Sequence, residues 1–274
     1  MQEVNITKIE PNSSWIKLDL SDLWAYRELL YFLIWRDVKI RYKQTAIGVM
    51  WAILQPIVTT AIFTVLFSTF ARFDTKEIPY PLFALSGLMI WLFVHTSVTI
   101  ASGGFVNNAN LVTKVYFPRL IVPVAATLAC VFDLIFSFAI LVILMLYYGT
   151  TLTWQIVFAP VFVILAVLQT IAFGTLFSAL NVKYRDVKFV LPFLLQIWMI
   201  ASPIFYPTTL LSEKWKLVFA INPLTGILEG FRSSLFGTSF DRNVIAISII
   251  SVLVISLFSL LVFKKMEDDF ADLI

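Results

Sequence analysis

The feature that most limits the fold of this chain is a set of six long runs that are apolar and almost free of charge. They lie at residues 47–70, 82–101, 120–148, 154–180, 190–205 and 244–263. A helix needs about 20 apolar residues to cross a bilayer, whereas a strand of a membrane barrel is about half that length and alternates polar with apolar residues. The chain is 60% hydrophobic and only 14% charged, so it has no polar surplus for a separate soluble domain. The sequence predicts an all-α integral membrane protein with six transmembrane helices per protomer and a single transmembrane domain, residues 1–274.

The residues flanking these runs predict the orientation of the chain. If the N-terminus is cytoplasmic, the inside segments 1–46, 102–119, 181–189 and 264–274 carry more than twice as many Lys and Arg residues as the outside segments. Cytoplasmic flanks of membrane proteins are enriched in these residues. Both termini of this multi-pass chain are therefore expected in the cytoplasm.

Residues 22–43, before the first span, have the pattern of an amphipathic helix. Apolar residues such as Leu33 and Val38 recur at helical spacing, and basic residues such as Arg36 and Lys39 follow another side. Such a helix lies in the membrane interface with its basic side chains among the headgroups. Two interpretations of the basic stripe stay open, a general positive-inside signal and a specific role.

The stretch 105–119 lies between the second and third spans and is moderately polar. It is too short for a domain and it ends at Pro118, which closes any helix before it. We interpret it as a plain connector, with a short cytoplasmic helix that docks a partner as the alternative.

The stretch 206–243 follows the fifth span, which Pro192 and Pro203 make the least regular of the six. This stretch is long for a loop and rich in large apolar residues, and Pro223 and Gly230 divide it into short pieces. Irregular backbone at membrane depth is tolerated where it is buried against protein. We therefore predict short re-entrant helices between spans five and six.

The chain carries no motif of a catalytic or cofactor-binding site. It lacks a GxxxxGK[ST] phosphate loop, so we expect no ATP hydrolysis by this chain, and its single cysteine, Cys130, offers no metal-ligand spacing. The prediction is a transporter subunit that is not an enzyme and has no catalytic residue, no metal and no cofactor of its own. His95 and Asp133 are ionisable residues within spans, and we favour a structural role for each over a role in transport.

Because the spans contain so few charges, a conduit through them would be lined by aromatic rings, hydroxyls and amides. Aromatic faces stack on the apolar faces of sugar rings and tolerate sliding. The alternative for these residues is core packing or lipid contact. The candidate channel-lining residues in spans one and five are Trp51, Gln55, Thr59, Phe63, Phe67, Gln196, Trp198, Ser202 and Tyr206.

Five stretches, each weak alone, form a specific combination across about residues 22–237. They are RDVKIRYKQTAIGVMWAILQP at 36–56; NLVTK at 110–114 with FPR at 117–119; YRDV at 184–187 with Pro192; QIWM at 196–199 with SPIFY at 202–206; and Asn222-Pro223 with Glu229-Gly230-Phe231-Arg232. In this order they resemble the permease subunits of ABC exporters for polysaccharides. That family includes the exporters of O-antigen, capsule and wall teichoic acid.

The resemblance implies an assembly that the residue pattern does not show. It implies a homodimer with two separately encoded ATPase subunits, which bind ATP and Mg²⁺, in the cytoplasmic (inner) membrane of a bacterium. The substrate would be a polysaccharide on polyprenyl pyrophosphate, or a similar glycan carrier, and no nucleic-acid partner is expected. Spans one and five of both copies would line the channel, residues 184–188 would form a cytoplasmic gate helix, and residues 206–237 would form an outer gate.

The same resemblance implies contact residues at the cytoplasmic side. The ATPase would contact the N-terminal helix and the loop around 105–117, where the candidates are Asn108, Asn110, Lys114 and Tyr116. The pyrophosphate of the substrate needs cationic partners near the inner face. Our hypothesis for these partners and the inner gate is Arg36, Arg41, Lys43, Tyr184 and Arg185.

Three other functions stay open at this point. An ABC exporter of a drug or a small lipid would have the same six-span plan. An ion-coupled carrier would need no ATPase, but it usually places more ionisable residues across several helices. A membrane-embedded glycosyltransferase would need acidic or basic catalytic residues in water-facing loops, and the outside loops here offer few.

Overall fold

The computed structural model describes residues 24–43, 48–67, 78–267 and 270, and every regular element in those ranges is a helix. The α-helices are α1 (Arg27–Lys43), α2 (Val49–Thr64), α3 (Tyr80–Ser102), α4 (Gly104–Asn107), α5 (Ala109–Lys114), α6 (Ile121–Ala129), α7 (Val131–Tyr147), α8 (Ala159–Lys183), α9 (Val187–Ile200), α10 (Glu213–Ala220), α11 (Pro223–Phe236) and α12 (Arg242–Glu267). Two 3₁₀ turns lie at Trp154–Phe158 and Thr208–Leu210. Residues 22 and 23 of the predicted N-terminal helix, and residues 47 and 68–70 of the predicted first span, lie outside the described ranges.

Five of the predicted spans are long apolar helical segments, which confirms the all-α integral membrane class. They are Val49–Phe67, Tyr80–Ser102, Ile121–Tyr147, Trp154–Lys183 and Arg242–Glu267. Each contains at least 19 residues, so at 1.5 Å per residue it is long enough to cross about 30 Å of hydrocarbon.

The fifth predicted span is a shorter helix with different bounds. α9 begins at Val187 rather than at residue 190 and ends at Ile200, and its 14 residues reach only about 21 Å. It ends where the chain turns at residues 201–206, a stretch that contains Pro203. Proline supplies no N–H and disfavours helix at the residue before it, which explains the early end. A sixth full-length span is therefore not confirmed.

The third span is divided at Cys130 into α6 and α7, although its sequence predicts one continuous helix. The backbone N–H of Cys130 donates to Thr127 O at 3.1 Å, and that of Asp133 donates to Cys130 O at 3.0 Å. These bonds join residues three apart, which is the tighter 3₁₀ pattern. The division lies at the depth where side chains of α1 reach the span.

α1 packs its predicted apolar side against the other helices. Leu33 and Val38 are buried, and Leu33 belongs to a cluster that includes Phe105, Phe117, Phe263 and Phe270. This cluster therefore joins α1, the region after the second span and the end of the sixth span. α1 and the end of α12 lie at the same end of the bundle, hereafter the α1 end.

The stretch 105–119, interpreted above as a plain connector, forms helix over much of its length. α4 and α5 lie there, divided at Asn108, whose side-chain Nδ2 donates to Gly104 O at 2.8 Å. An Asn side chain that bonds the local backbone competes with helix, so the division at this residue has a local cause. The local structure is that of the short-helix alternative.

α11 is the most buried of the short helices and lies at the far end of the bundle from α1. Nearly all of its residues are buried, and it packs against α8 and α12. Gly230 permits this packing, because a Cβ there would lie 1.9 Å from Cε1 of Phe162. A small residue at a helix contact lets two backbones approach closely.

Candidate functional site

The five candidates of span one follow one side of the first long helical segment, and the structure divides four of them into two groups. Thr59 lies between the groups and donates to Gln55 O at 2.6 Å. All five recur every fourth residue, which places them one above another on a helix. Trp51 and Gln55 line a cavity of about 580 Å³ toward the α1 end. Phe63 stacks on Phe205 with ring centroids 3.8 Å apart, and Phe67 stacks on the same ring at 5.9 Å. The first group therefore faces a cavity within one protomer, and the second packs against Phe205.

That cavity has an apolar wall and one polar end. Met89, Phe93 and Leu134 supply much of the wall, and Arg41 and Asp133 lie among the polar lining residues. The polar end is the point where α1 meets the third span.

Four side chains form a polar cluster at this point, which we call the Asp133 cluster: Arg41, Tyr42, Cys130 and Asp133. Nη1 of Arg41 and the hydroxyl of Tyr42 each donate to one carboxylate oxygen of Asp133. Nη2 of Arg41 lies 3.1 Å from Sγ of Cys130, and the ring of Tyr42 meets Phe136 edge-on. Burial, with the hydrogen bond to Asp133, raises the pKa of the Tyr42 phenol, so the hydroxyl keeps the proton it donates. The cluster thus fastens α1 to the third span, and Asp133 has the partner that an intramembrane carboxylate requires.

The other cationic candidates lie on exposed or half-buried surfaces. Arg36 forms an ion pair with Asp37 at 2.8 Å, while Lys43, Arg185 and the ring of Tyr184 are exposed. Within the described ranges, no hydrogen bond or ion pair joins Arg185 to α1. The structure therefore brings Arg41 into the Asp133 cluster and does not assemble the five candidates into one site in a single protomer.

Residues 184–188 do not form the separate helix that was predicted as a cytoplasmic gate, so that prediction is wrong in its bounds. Tyr184 is extended, residues 185 and 186 form a turn, and α9 begins at Val187. The carbonyl of Asp186 accepts from the N–H groups of Phe189 at 2.9 Å and Val190 at 3.2 Å, so these bonds begin α9 rather than close a helix at 184–188. The segment is the connection between α8 and α9.

The two regions predicted to contact an ATPase meet at the α1 end. A second cavity, of about 480 Å³, is lined by Arg36 and Asp37 of α1 and by Asn107 and Asn108 of the stretch that follows the second span. Three more candidates lie close by in the chain and are exposed, namely Asn110, Lys114 and Tyr116, the last with 80% of its surface accessible. One surface therefore carries both predicted regions.

The candidates of span five are mostly engaged within the protomer. Trp198 Nε1 donates to Asn222 Oδ1 at 2.9 Å, and Asn222 Nδ2 donates to Ser202 Oγ at 2.8 Å. Tyr206 donates to Ile200 O at 3.2 Å, and Gln196 is exposed. Trp198 and Ser202 therefore hold the end of α9 to α11.

Three polar residues in or next to α11 contact the turn at residues 201–206 or its flank at Thr208. The sequence interpretation gave none of them a role. Asn222 also accepts from the N–H of Leu224 and so caps α11, and Glu229 accepts from Thr208 Oγ1 at 2.8 Å. Arg232 donates to Pro203 O and Ile204 O, each at 2.7 Å. Asn222, Glu229 and Arg232 are seven and three residues apart, a spacing that places all three on one side of a helix. That spacing is the signal that would have found them.

The geometry is that of a helical membrane protein. Among the described residues, no three His, Cys, Asp or Glu side chains converge as metal ligands would. The profile of the ABC-2 type transporter family matches residues 28–236. Because this match covers more than half of the chain, the protein belongs to the ABC-2 type transporter family.

Curated relatives match along most of their length. The O-antigen export system permease protein RfbA of Myxococcus xanthus is 27% identical over 256 residues, which is 92% of this chain and 97% of the relative. A protein of the same name from Klebsiella pneumoniae is 25% identical over 90% of this chain and 95% of its own. The polysialic acid transport protein KpsM of Escherichia coli is 25% identical over 72% of this chain and 77% of its own.

Proposed function

We propose that this protein is the permease subunit of an ATP-driven exporter that moves a lipid-linked polysaccharide, of the O-antigen class, across the bacterial cytoplasmic membrane. The observation that carries the proposal is the match to an O-antigen export permease over 97% of that relative's length. A match of that extent leaves very little of the relative's length unaligned. The more partial match to a polysialic acid transporter supports polysaccharide as the wider substrate class.

The α1 end is proposed as the cytoplasmic side and the docking surface for a separate ATPase subunit. The supporting observation is the cavity of about 480 Å³ formed jointly by α1 and the loop at 104–111. Exposed Asn110, Lys114 and Tyr116 extend the same surface. ATP and Mg²⁺ would bind to the partner, since the chain has no phosphate loop of its own.

A second copy of the chain is proposed to complete the channel. The first long apolar helix, Val49–Phe67, has only 11% of its residues buried within the protomer. α9 likewise exposes Phe189, Phe193 and Ile197. In a homodimer these two faces would pack against each other, line the conduit or contact lipid. The short α9 would complete the fifth crossing together with re-entrant α10 and α11.

The pyrophosphate of the carrier is proposed to contact Arg36, Lys43 and Arg185 near the cytoplasmic side. Arg41 would act indirectly, by holding α1 in place through Asp133. Substituting Arg36, Lys43 and Arg185 singly with Gln should lower export several-fold with normal protein levels. K214Q is the matched control, because Lys214 is an exposed lysine of α10 at the other end of the bundle. It should leave export unchanged. Normal export by all three variants would refute this assignment.

The proposed function is tested by deleting the gene in its host and restoring it on a plasmid. Surface polysaccharide should disappear on deletion, lipid-linked glycan should accumulate inside the cell, and the restored gene should reverse both changes. Purified protein should carry an ATPase subunit with it. Normal surface glycan in the deletion strain, with altered drug resistance or altered lipid content, would instead support a small-molecule exporter of the same fold. Transport without any ATPase would support an ion-coupled carrier.

A further inference from the structure

The turn between α9 and the 3₁₀ turn at Thr208–Leu210 contains backbone carbonyls that need donors. Residues 202–205 are buried, and buried carbonyl groups are almost always hydrogen-bonded. Pro203 interrupts the local ladder, because proline has no N–H. The turn therefore depends on donors from another part of the chain.

Arg232 supplies these donors and is itself buried. It has only 4% of its surface exposed. Besides Pro203 O and Ile204 O, it donates to Phe83 O at 3.2 Å and to Ser86 Oγ at 3.3 Å. Its guanidinium carbon lies 3.7 Å from the centroid of the Phe83 ring. One guanidinium thus joins α11, the turn and the start of α3.

Lysine would not reproduce this arrangement. Arginine presents five N–H donors in a planar fork, whereas lysine presents three on a single atom. A Lys ammonium could satisfy the carbonyls of the turn or those of α3, but not both sets with similar geometry. The contact therefore specifies arginine rather than positive charge alone.

Gly87 is the second residue on which the contact depends. A Cβ at this position would lie 2.5 Å from Nη2 of Arg232 and 2.8 Å from Ile204 O. A side chain of any size would separate the guanidinium from the turn. Gly87 and Arg232 thus provide two independent ways to disturb one contact.

The turn in turn holds Phe205, which contacts the first long helix. Tyr80 donates to Phe205 O at 2.9 Å, and the Phe205 ring stacks on Phe63 and Phe67. Since that helix is otherwise little buried within the protomer, this aromatic contact determines much of its position at the far end. A shift of the turn would move the helix that is proposed to line the channel.

We infer that Arg232 is a positioning residue for transport: it fixes the turn at residues 202–206 and so sets where the first span stands at the exit end of the channel. The inference rests on the proposed function. Arg232 acts through Phe205 and touches no substrate. Glu229 and Asn222 hold the two flanks of the same turn, through Thr208 and Ser202.

The test compares R232Q, R232K and G87A with the wild type in the complete exporter. Spin labels at exposed Ile62 and Leu210 report the distance between the first span and the turn in lipid nanodiscs, with labelled chains diluted by unlabelled ones. The wild type should give one narrow distance distribution, and R232Q and G87A should broaden or shift it, with R232K intermediate. Export per folded protein should fall about tenfold in R232Q and G87A, the size expected when a contact that couples two elements is lost. ATP hydrolysis by the purified complex should continue.

A matched control separates positioning from simple loss of stability. Ser259 Oγ donates to buried Ala172 O at 2.5 Å between two other spans. S259A should lower the melting temperature but leave the label distance and the export per folded protein unchanged. If R232Q does not fold, G87A and R232K, which retain a cation, carry the same test.

A failure of this inference and a failure of the proposed function give different results. Wild-type distances together with wild-type export per folded protein in R232Q or G87A would overturn the inference. A wild type that exports no glycan would refute the proposed function, whereas the label distances would still show whether Arg232 positions the first span.

Discussion

Two arginines attach short helices to opposite ends of this bundle, and they are satisfied by different chemistry. Arg41 of α1 pairs with the carboxylate of Asp133, with Tyr42 donating to the same group. Arg232 of α11 donates to three backbone carbonyls and one hydroxyl and lies over a phenyl ring. The first contact is an ion pair between side chains, whereas the second joins a side chain mainly to backbone carbonyl groups.

This difference determines how each contact can be removed. An ion pair can be replaced as a unit by two apolar residues, and such a replacement is often neutral. Backbone carbonyls remain in place whatever side chain stands at residue 232, so their need for donors cannot be mutated away. We therefore expect that the ion pair at the α1 end can be replaced by apolar residues, whereas the carbonyls at the far end always need a donor.

The largest expected effect in stability is that of R232M. Methionine fills some of the space but leaves the carbonyls of Pro203 and Ile204 without this donor, whereas Phe83 O still accepts from Ser86 Oγ. Each unsatisfied buried group costs about 1–3 kcal/mol. We expect a loss of about 3 kcal/mol or more, seen as a large fall in the melting temperature of the purified protein. A melting temperature within one or two degrees of the wild type would show that the turn finds other donors and would remove the contrast between the two ends.

A smaller and reversible effect is expected in the Asp133 cluster. In a Y42F background, which leaves no hydroxyl without an acceptor, R41M should leave a half-buried carboxylate unpaired and cost about 2 kcal/mol. R41M/D133L in the same background should recover most of that loss, because no charge is left buried. Thermal unfolding of Y42F, Y42F/R41M, Y42F/D133L and Y42F/R41M/D133L measures the cycle. Equal losses in R41M and R41M/D133L would mean that the pair, like Arg232, cannot be exchanged.

Effects similar in size to that of R41M, or smaller, are expected from two tyrosine hydroxyls. Y42F removes a donor to the Asp133 carboxylate, and Y80F removes a donor to Phe205 O. A hydrogen bond to a charged group is worth about 1.5–3 kcal/mol and one between neutral groups about 0.5–1.5 kcal/mol. Y42F should therefore destabilise the protein more than Y80F in the same thermal assay. The reverse order would show that the turn, and not the ion pair, contains the more sensitive hydroxyl.

Much of the architecture could be predicted from the sequence because it follows from hydropathy. Five apolar runs are helices close to their predicted bounds, and Leu33 and Val38 are on the buried side of α1, as their spacing predicts. The short α9 and the division at Cys130 could not be predicted in the same way. Both depend on local hydrogen bonds at turns, which the average hydropathy of a run does not reveal.

The candidate site was predicted in part. The sequence singled out the two regions at the α1 end, and the structure places them around one cavity. It also singled out Asp133 and the motif that contains Arg232, but it could not show which atoms each one contacts. Asp133 and Arg41 are 92 residues apart in sequence, and Arg232 and Phe83 are 149 apart, so only the packing of helices brings them together.

The six apolar runs therefore define the class of this protein. Each has too few charges to face water, so it must be buried in the protein or lie against lipid. The sequence by itself determined the membrane class, the helical spans and the absence of a phosphate loop. The tertiary structure decided which polar groups satisfy one another, that α1 is fastened by an ion pair, and that the turn after α9 is held by Arg232. The reason is that hydropathy acts on each segment separately, whereas a buried charge or carbonyl must find its partner wherever the fold places one.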